Sequence, residues 1–172
     1  TIGIDRPEVM AAKTREASGY PVLKMKLGSP DDRVNFTAVR DATEGRRMRV
    51  DANAGWKTKE EALRNIEWLA GEGCVEFVEQ PMPPDLPTSD WAWLKERSPL
   101  PLFGDELYQD ASDATRCAEC VHGVNVKLVK TGGVTRGKHA LEAARAQGLK
   151  TMLGCMIESS VLITAAAHLA SL

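Results

Sequence analysis

The feature that most constrains this chain is a repeated alternation of a short apolar run, a few polar residues and an amphipathic stretch of helical period. The apolar runs fall at Thr1–Ile4, Val22–Leu27, Met48–Asp51, Val75–Glu79, Leu102–Asp105, Val124–Lys127 and Thr151–Met156. Helix signals lie between them. A helical stretch runs from Pro7 to about Ser18. Ser29-Pro30-Asp31-Asp32 places proline in a first turn, and Thr58-Lys59-Glu60-Glu61 has the capping-box pattern. Further helices are expected around Trp91–Arg97, from about Ser112, over Arg136–Gln147 and over Leu162–Leu172. Seven strand–helix units in strict alternation predict an α/β fold with parallel strands covered by helices. No linker, low-complexity tract or charge block interrupts residues 1–172, so a single domain is expected.

Two architectures satisfy that alternation, an open doubly wound sheet and a closed barrel, and the charged residues decide between them. Lys24 and Lys26 are two apart and project from one face of their strand. Asp51, Glu79, Asp105 and Lys127 each end a later strand, and from Lys26 onward these residues recur every 22–28 positions. Parallel connection brings such residues to the same end of successive strands. In an open sheet they would spread along a line at about 4.8 Å per strand; in a barrel they converge over the mouth where barrel enzymes place their active sites. The reading is therefore a TIM-type (β/α) barrel with units one to seven present and the eighth strand absent, since a full barrel takes eight units.

Three carboxylates with no histidine beside them make a hard oxygen site suited to Mg²⁺, with Mn²⁺ as the alternative, and unsuited to zinc or copper. A proton beside a carboxylate is very weakly acidic. Its removal leaves a dianionic enediolate, which a divalent ion on the carboxylate oxygens stabilises. The base must be neutral, whereas a free lysine titrates near 10.4. Lys24, two residues from Lys26 on one face, is a like charge that disfavours the ammonium form. Lys127 arrives from a strand across the barrel, so two bases can serve opposite faces of one planar intermediate, as racemisation or epimerisation requires.

Other classes are excluded by composition and charge. The net charge of −2, with both signs interspersed, argues against a nucleic-acid or anionic-membrane partner. No apolar run approaches the roughly 18–20 residues of a membrane span. The chain opens on Thr1, not Met, so the natural start is expected upstream, and no export signal is visible. Cys74, Cys117, Cys120 and Cys155 are read as buried, inert thiols in a reducing, cytoplasmic compartment. Cys117-Ala-Glu-Cys120 lacks the second ligand pair of a zinc site. His122, His139 and His168 are read as surface or packing residues, the four tryptophans as packing, with Trp56 near enough to wall the site, and Gly132-Gly133 as a tight turn.

Leu23-Lys24-Met25-Lys26, Val50-Asp51-Ala52-Asn53-Ala54-Gly55-Trp56, Val78-Glu79-Gln80-Pro81, Gly104-Asp105-Glu106 and Asn125–Gly133 together resemble the enolase superfamily, in its muconate-lactonising-enzyme branch. The resemblance implies Asp51, Glu79 and Asp105 as metal ligands, Lys26 and Lys127 as the acid/base pair, and Lys24 as the lysine that tunes Lys26. Lys130 rivals Lys127, although its place two before the paired glycines makes it the poorer base. Asn53 and Glu106 look like supporting residues, and Glu158 ends the last strand where it can reach the site. Met152–Ser159 looks most like dipeptide epimerases acting on L-Ala-D/L-Glu and related dipeptides, a small-molecule carboxylate substrate. Related alternatives are o-succinylbenzoate synthase, N-succinylamino-acid racemase and muconate cycloisomerase; a catalytically silent barrel fragment is the rival of another class. The family's N-terminal capping domain and eighth strand have no counterpart here, and a homo-oligomer, in which another chain covers the open strand edges, is expected.

Overall fold

The structure, a computed structural model, describes residues 1–171. It divides into two compact units, one formed by Thr1–Pro84 with Glu96–Leu102, the other by Asp85–Lys95 with the chain from Phe103 onward.

In the first unit, β1 (Val22–Lys26), β2 (Arg47–Asp51) and β3 (Val75–Glu79) pair in parallel, β2 between the other two. Their side chains alternate as period 2 dictates. Leu23, Met25, Met48 and Val50 are buried, while Lys24, Lys26 and Arg49 point to the other face and are half-exposed. Helices α1 (Pro7–Glu16), α2 (Asp32–Ala42) and α3 (Lys59–Gly71) supply Met10, Phe36, Val39, Ile66 and Leu69, all fully buried, to the same core. At about 25 cal/mol per Å² of apolar surface, this burial is the main force holding the unit together. Thr58 caps α3 by accepting the Glu61 N–H, and Glu61 reaches back to the Lys57 N–H, one residue earlier than a standard capping box.

The expected first strand is shorter than its sequence suggests. Only Ile2 pairs, bridging Met25 through Ile2 N–H to the Lys24 carbonyl and Lys26 N–H to the Ile2 carbonyl. The chain must turn between Gly3 and Arg6 to begin α1 at Pro7, which ends the ladder after one residue. Six strands therefore stand among the described residues where seven were expected.

In the second unit, the end of β4 (Leu102–Gly104) pairs with β5 (Gly123–Val126), and β5 with β6 (Lys150–Leu153), all parallel. Helix α4 (Thr88–Arg97) precedes β4. A 3-10 turn at Ala111–Asp113 leads into α5 (Ala114–Cys120), which carries Cys117 and Cys120 as buried free thiols. The pair is buried as expected, and burial pushes the Cys117 thiol up to about 12 and raises that of Cys120, whereas Cys155 is exposed and Cys74 only half-buried. A one-turn helix not evident from sequence, α6 (Leu128–Thr131), starts directly after Lys127 and closes on Gly132 in the left-handed conformation (φ 84°), confirming the tight turn. Then come α7 (Val134–Ala146) and α8 (Ser160–Leu169); the expected last helix ended at Leu172, which lies outside the described residues. His139 and His168 are exposed and His122 is half-buried, as read from sequence.

Two glycines show how closely the loops after β1 and β2 approach. A Cβ on Gly55 would lie 2.4 Å from the Gly28 Cα and 2.8 Å from the Ala52 carbonyl oxygen. Both obstacles are backbone and cannot swing aside. Gly55→Ala is expected to destabilise the full protein by about 1–3 kcal/mol, seen as a lower urea midpoint with an unchanged slope. In the second unit the buried Tyr108 hydroxyl donates to the Ala140 carbonyl at 2.6 Å. Burial raises its pKa to about 12 from 10. The neutral phenol's contribution is thus complete below pH 10 and is lost as pH climbs from 10 toward 12. Tyr108→Phe should cost about 1 kcal/mol at neutral pH and flatten the alkaline stability slope.

Candidate active site

The parallel register of the first unit puts Lys26, Asp51 and Glu79 side by side at the strand ends, since Lys26 pairs with Asp51 and Asp51 with Glu79. Lys24 sits two residues back on the same face. Both carboxylates are fully buried, and both lysines keep part of their surface open to solvent. The Lys24 ammonium lies 2.7 Å from Glu79 Oε2 and 2.8 Å from Asp51 Oδ2, and Lys26 lies 2.6 Å from that same Asp51 oxygen. Asp51 Oδ1 accepts the Asn53 N–H at 2.9 Å, so Asn53 holds Asp51 through its backbone while its side chain is exposed.

This geometry sets the charge state of Lys24. Burial by itself pushes its ammonium down, but the Glu79 and Asp51 carboxylates outweigh burial, and its pKa lies above the ordinary lysine value. Lys24 therefore remains a positive charge two residues from Lys26 on the same face, and the two acids that the register sets beside both lysines are what the sequence did not show. Trp56 packs, as read from sequence. It is buried with its indole N–H donated to Asp32, so it is a packing and hydrogen-bonding residue.

The second unit holds Asp105, nearly fully buried, just after β4, and Lys127, buried, just after β5. Lys127 donates to Asp105 Oδ2 at 2.5 Å, and Lys130 to Asp105 Oδ1 at 2.7 Å. Burial pushes the Asp105 carboxyl up, but Lys130 and Lys127 outweigh it and hold its pKa below the usual carboxylate range. The two lysines differ in what else they touch. Lys130 also donates to the carbonyls of Asp105 (2.5 Å), Tyr108 (2.9 Å) and Asn125 (3.3 Å), which occupies every N–H it has. Among the described residues, Lys127 has besides Asp105 only the Met156 thioether at 3.6 Å, a weak acceptor. Sequence placed Met156 at the end of the last strand and gave it no role of its own; the strand stops at Leu153, and Met156 lies in the exposed loop beyond it. Glu158 is half-buried and accepts the Met156 N–H, and half-buried Glu106 follows Asp105 with its carbonyl accepting from Gln109.

Residues 8–172 match the family described as enolase C-terminal domain-like. The chain belongs to that family. Among curated relatives, an L-Ala-D/L-amino acid epimerase from Pedosphaera parvula is 59% identical over all of this chain and 50% of its own length. The substrate-liganded L-Ala-D/L-Glu epimerase from Bacillus subtilis superposes with a TM-score of 0.90 at 30% identity, over 99% of this chain and 49% of that one. A dipeptide epimerase from Enterococcus faecalis V583, solved with Mg and the dipeptide L-Leu-L-Tyr, gives 0.88 at 33% identity, over 97% and 49%. The chain spans about half the length of the curated relatives it matches. The family assignment fixes the fold class as α/β, a portion of a TIM-type barrel. Asp51, Glu79 and Asp105 are acidic residues that can bind a metal.

The contrast between the two lysines of the second unit is measurable. Lys130→Met removes one of the two ammoniums on buried Asp105 together with the donor that ties it to the Tyr108 and Asn125 carbonyls, and should cost about 3 kcal/mol of stability in a chemical denaturation series. Lys127→Met, which leaves Lys130 to neutralise Asp105, should cost clearly less.

Proposed function

We propose that the full protein epimerises dipeptides of the L-Ala-D/L-Glu type by moving the proton beside a carboxylate between Lys26 and Lys127. What carries this reading is the seating of each lysine against a buried carboxylate at a strand end, in a chain that aligns along 99% of its length with a substrate-liganded epimerase.

Asp51, Glu79 and Asp105 are the residues that would hold a divalent cation. The donor set fits. All are carboxylates, none is more than 2% exposed, and among the described residues no histidine or thiol joins the group, which suits Mg²⁺ or Mn²⁺. When bound, such an ion supplies Lewis-acid stabilisation of charge developing on a substrate carboxylate. The chain's own groups do the rest. Lys24, held cationic by Glu79 and Asp51, adds positive charge on the side where the enediolate forms. Lys26, in its neutral form, takes the α-proton from one face, and Lys127, as an ammonium, returns one to the other. For the opposite stereoisomer the roles reverse. Lys130 cannot share this work, because its N–H groups are committed to Asp105, Tyr108 and Asn125.

Incubating the full protein in D₂O with each Ala-Glu stereoisomer tests the reading directly. Wash-in of solvent deuterium at the α-carbon and interconversion of the epimers are expected, both abolished by EDTA and restored by Mg²⁺. Lys26→Ala and Lys127→Ala should each lower epimerisation by about 10³-fold, while each single variant still exchanges the proton of the one stereoisomer that its remaining lysine faces. Absence of exchange with every stereoisomer rules the epimerase reading out.

A further inference from the structure

The first unit contains a buried carboxylate that the chemistry above leaves unused. Asp32 opens α2 and is only 8% exposed, whereas an aspartate at a helix start is ordinarily a solvated cap. Its oxygens collect four donors. Oδ1 accepts the Gly28 N–H (2.9 Å), the Ser29 N–H (2.8 Å) and the Ser29 hydroxyl (3.1 Å), and Oδ2 accepts the Trp56 indole N–H (3.2 Å). Gly28 and Ser29 follow Lys26 by two and three residues, and Trp56 follows Asp51 by five. One carboxylate thus ties the loop that leaves the β1 lysines to the loop that leaves Asp51.

The surrounding backbone shows what that tie completes. The Leu27 N–H donates to the Asp51 carbonyl at 2.8 Å, and the Gly28 backbone (φ 104°) lies so close to Ala52 that a Cβ there would sit 2.3 Å from the Ala52 oxygen. On the other flank, Ala52, Ala54 and Trp56 donate their N–H groups to the carbonyls of Glu79, Gln80 and Pro81. Asn53, Ala54 and Gln80 all adopt left-handed backbone, at φ 46°, 57° and 39°. Non-glycine residues stay there, at a cost of order 1 kcal/mol each, only where the surroundings over-determine them. The loops after β1, β2 and β3 are stitched into one layer, and Asp32 pins its free edge.

We propose that Asp32 is a positioning residue for the Lys26–Asp51 pair, acting through the Gly28–Ser29 and Trp56 loops and never touching substrate. The proposal rests on the epimerase reading for its kinetic consequence and on geometry for its structural one. A carboxylate is the group the site demands, because four donors converge and it offers only acceptors. An amide in its place turns an NH₂ toward an N–H and leaves buried donors unpaired.

The test uses the full protein with Asp32→Asn, Trp56→Phe, the double variant and, as a charge control on the exposed neighbour, Asp31→Asn. Asp32→Asn is expected to lower kcat for α-proton exchange about tenfold or more with KM nearly unchanged, as misplacement of a base does. Trp56→Phe should lose less, and the double variant no more than Asp32→Asn alone, since both break one contact. Asp31→Asn should match the parent. Hydrogen exchange of the Gly28 and Ser29 amides should speed up in Asp32→Asn, and the Trp56 indole N–H resonance should move. Parent-like kcat in Asp32→Asn, an equal loss in Asp31→Asn, or a loss that merely follows the unfolded fraction overturns the proposal. If the parent exchanges no dipeptide proton, the epimerase reading falls on its own, and the clamp is judged on the amides and indole, where unchanged protection in Asp32→Asn overturns it.

Discussion

Everything in the candidate site depends on buried carboxylates being neutralised by lysines that arrive from neighbouring strands. An isolated buried carboxylate costs several kcal/mol in desolvation, and removing one partner of a buried pair is strongly destabilising. Asp51 and Glu79 escape that cost because parallel register sets Lys24 and Lys26 opposite them, and Asp105 escapes it through Lys127 and Lys130. The first unit balances two ammoniums against two carboxylates; the second has two ammoniums for one. That surplus gives the lysines of the second unit different jobs. Lys130 is consumed by one carboxylate and three carbonyls, which leaves Lys127 as the cation with unspent donors.

A site whose charges are held this way needs rigid strand ends, and the loops provide them by backbone means. The N–H groups of Ala52, Ala54 and Trp56 bond to consecutive carbonyls after β3, the Asn53 N–H orients Asp51, and glycines at 28 and 55 let two loops touch without side chains between them. Strain in non-glycine residues concentrates in the same few positions, as expected where function requires a fixed geometry. The apolar side of β1 and β2 meanwhile packs Leu23, Met25, Met48 and Val50 into the helical layer, so one set of strands carries the core on one face and the charge cluster on the other.

Similarity to dipeptide epimerases fits this division of labour. The relatives are about twice as long as this chain, and the matched half carries the strand-end acids and lysines. Within the matched half, the loop over 154–159 brings Met156 against Lys127.

The sequence by itself determined the α/β class, most element positions and the identity of the charged strand-end residues, because period-2 and helical patterns and the spacing of Lys26, Asp51, Glu79, Asp105 and Lys127 are local or one-dimensional facts. It overextended the strand at Thr1–Ile4, where local apolarity promised pairing that the turn into α1 prevents. Only the tertiary structure decided which charges meet. The direction of the Lys24 shift, the capture of Lys130 by carbonyls, the Met156 contact and the burial of Asp32 all depend on atoms brought together from distant positions. Charge and hydrogen bonding act over a few ångströms of space, and no one-dimensional pattern records which residues come within that range.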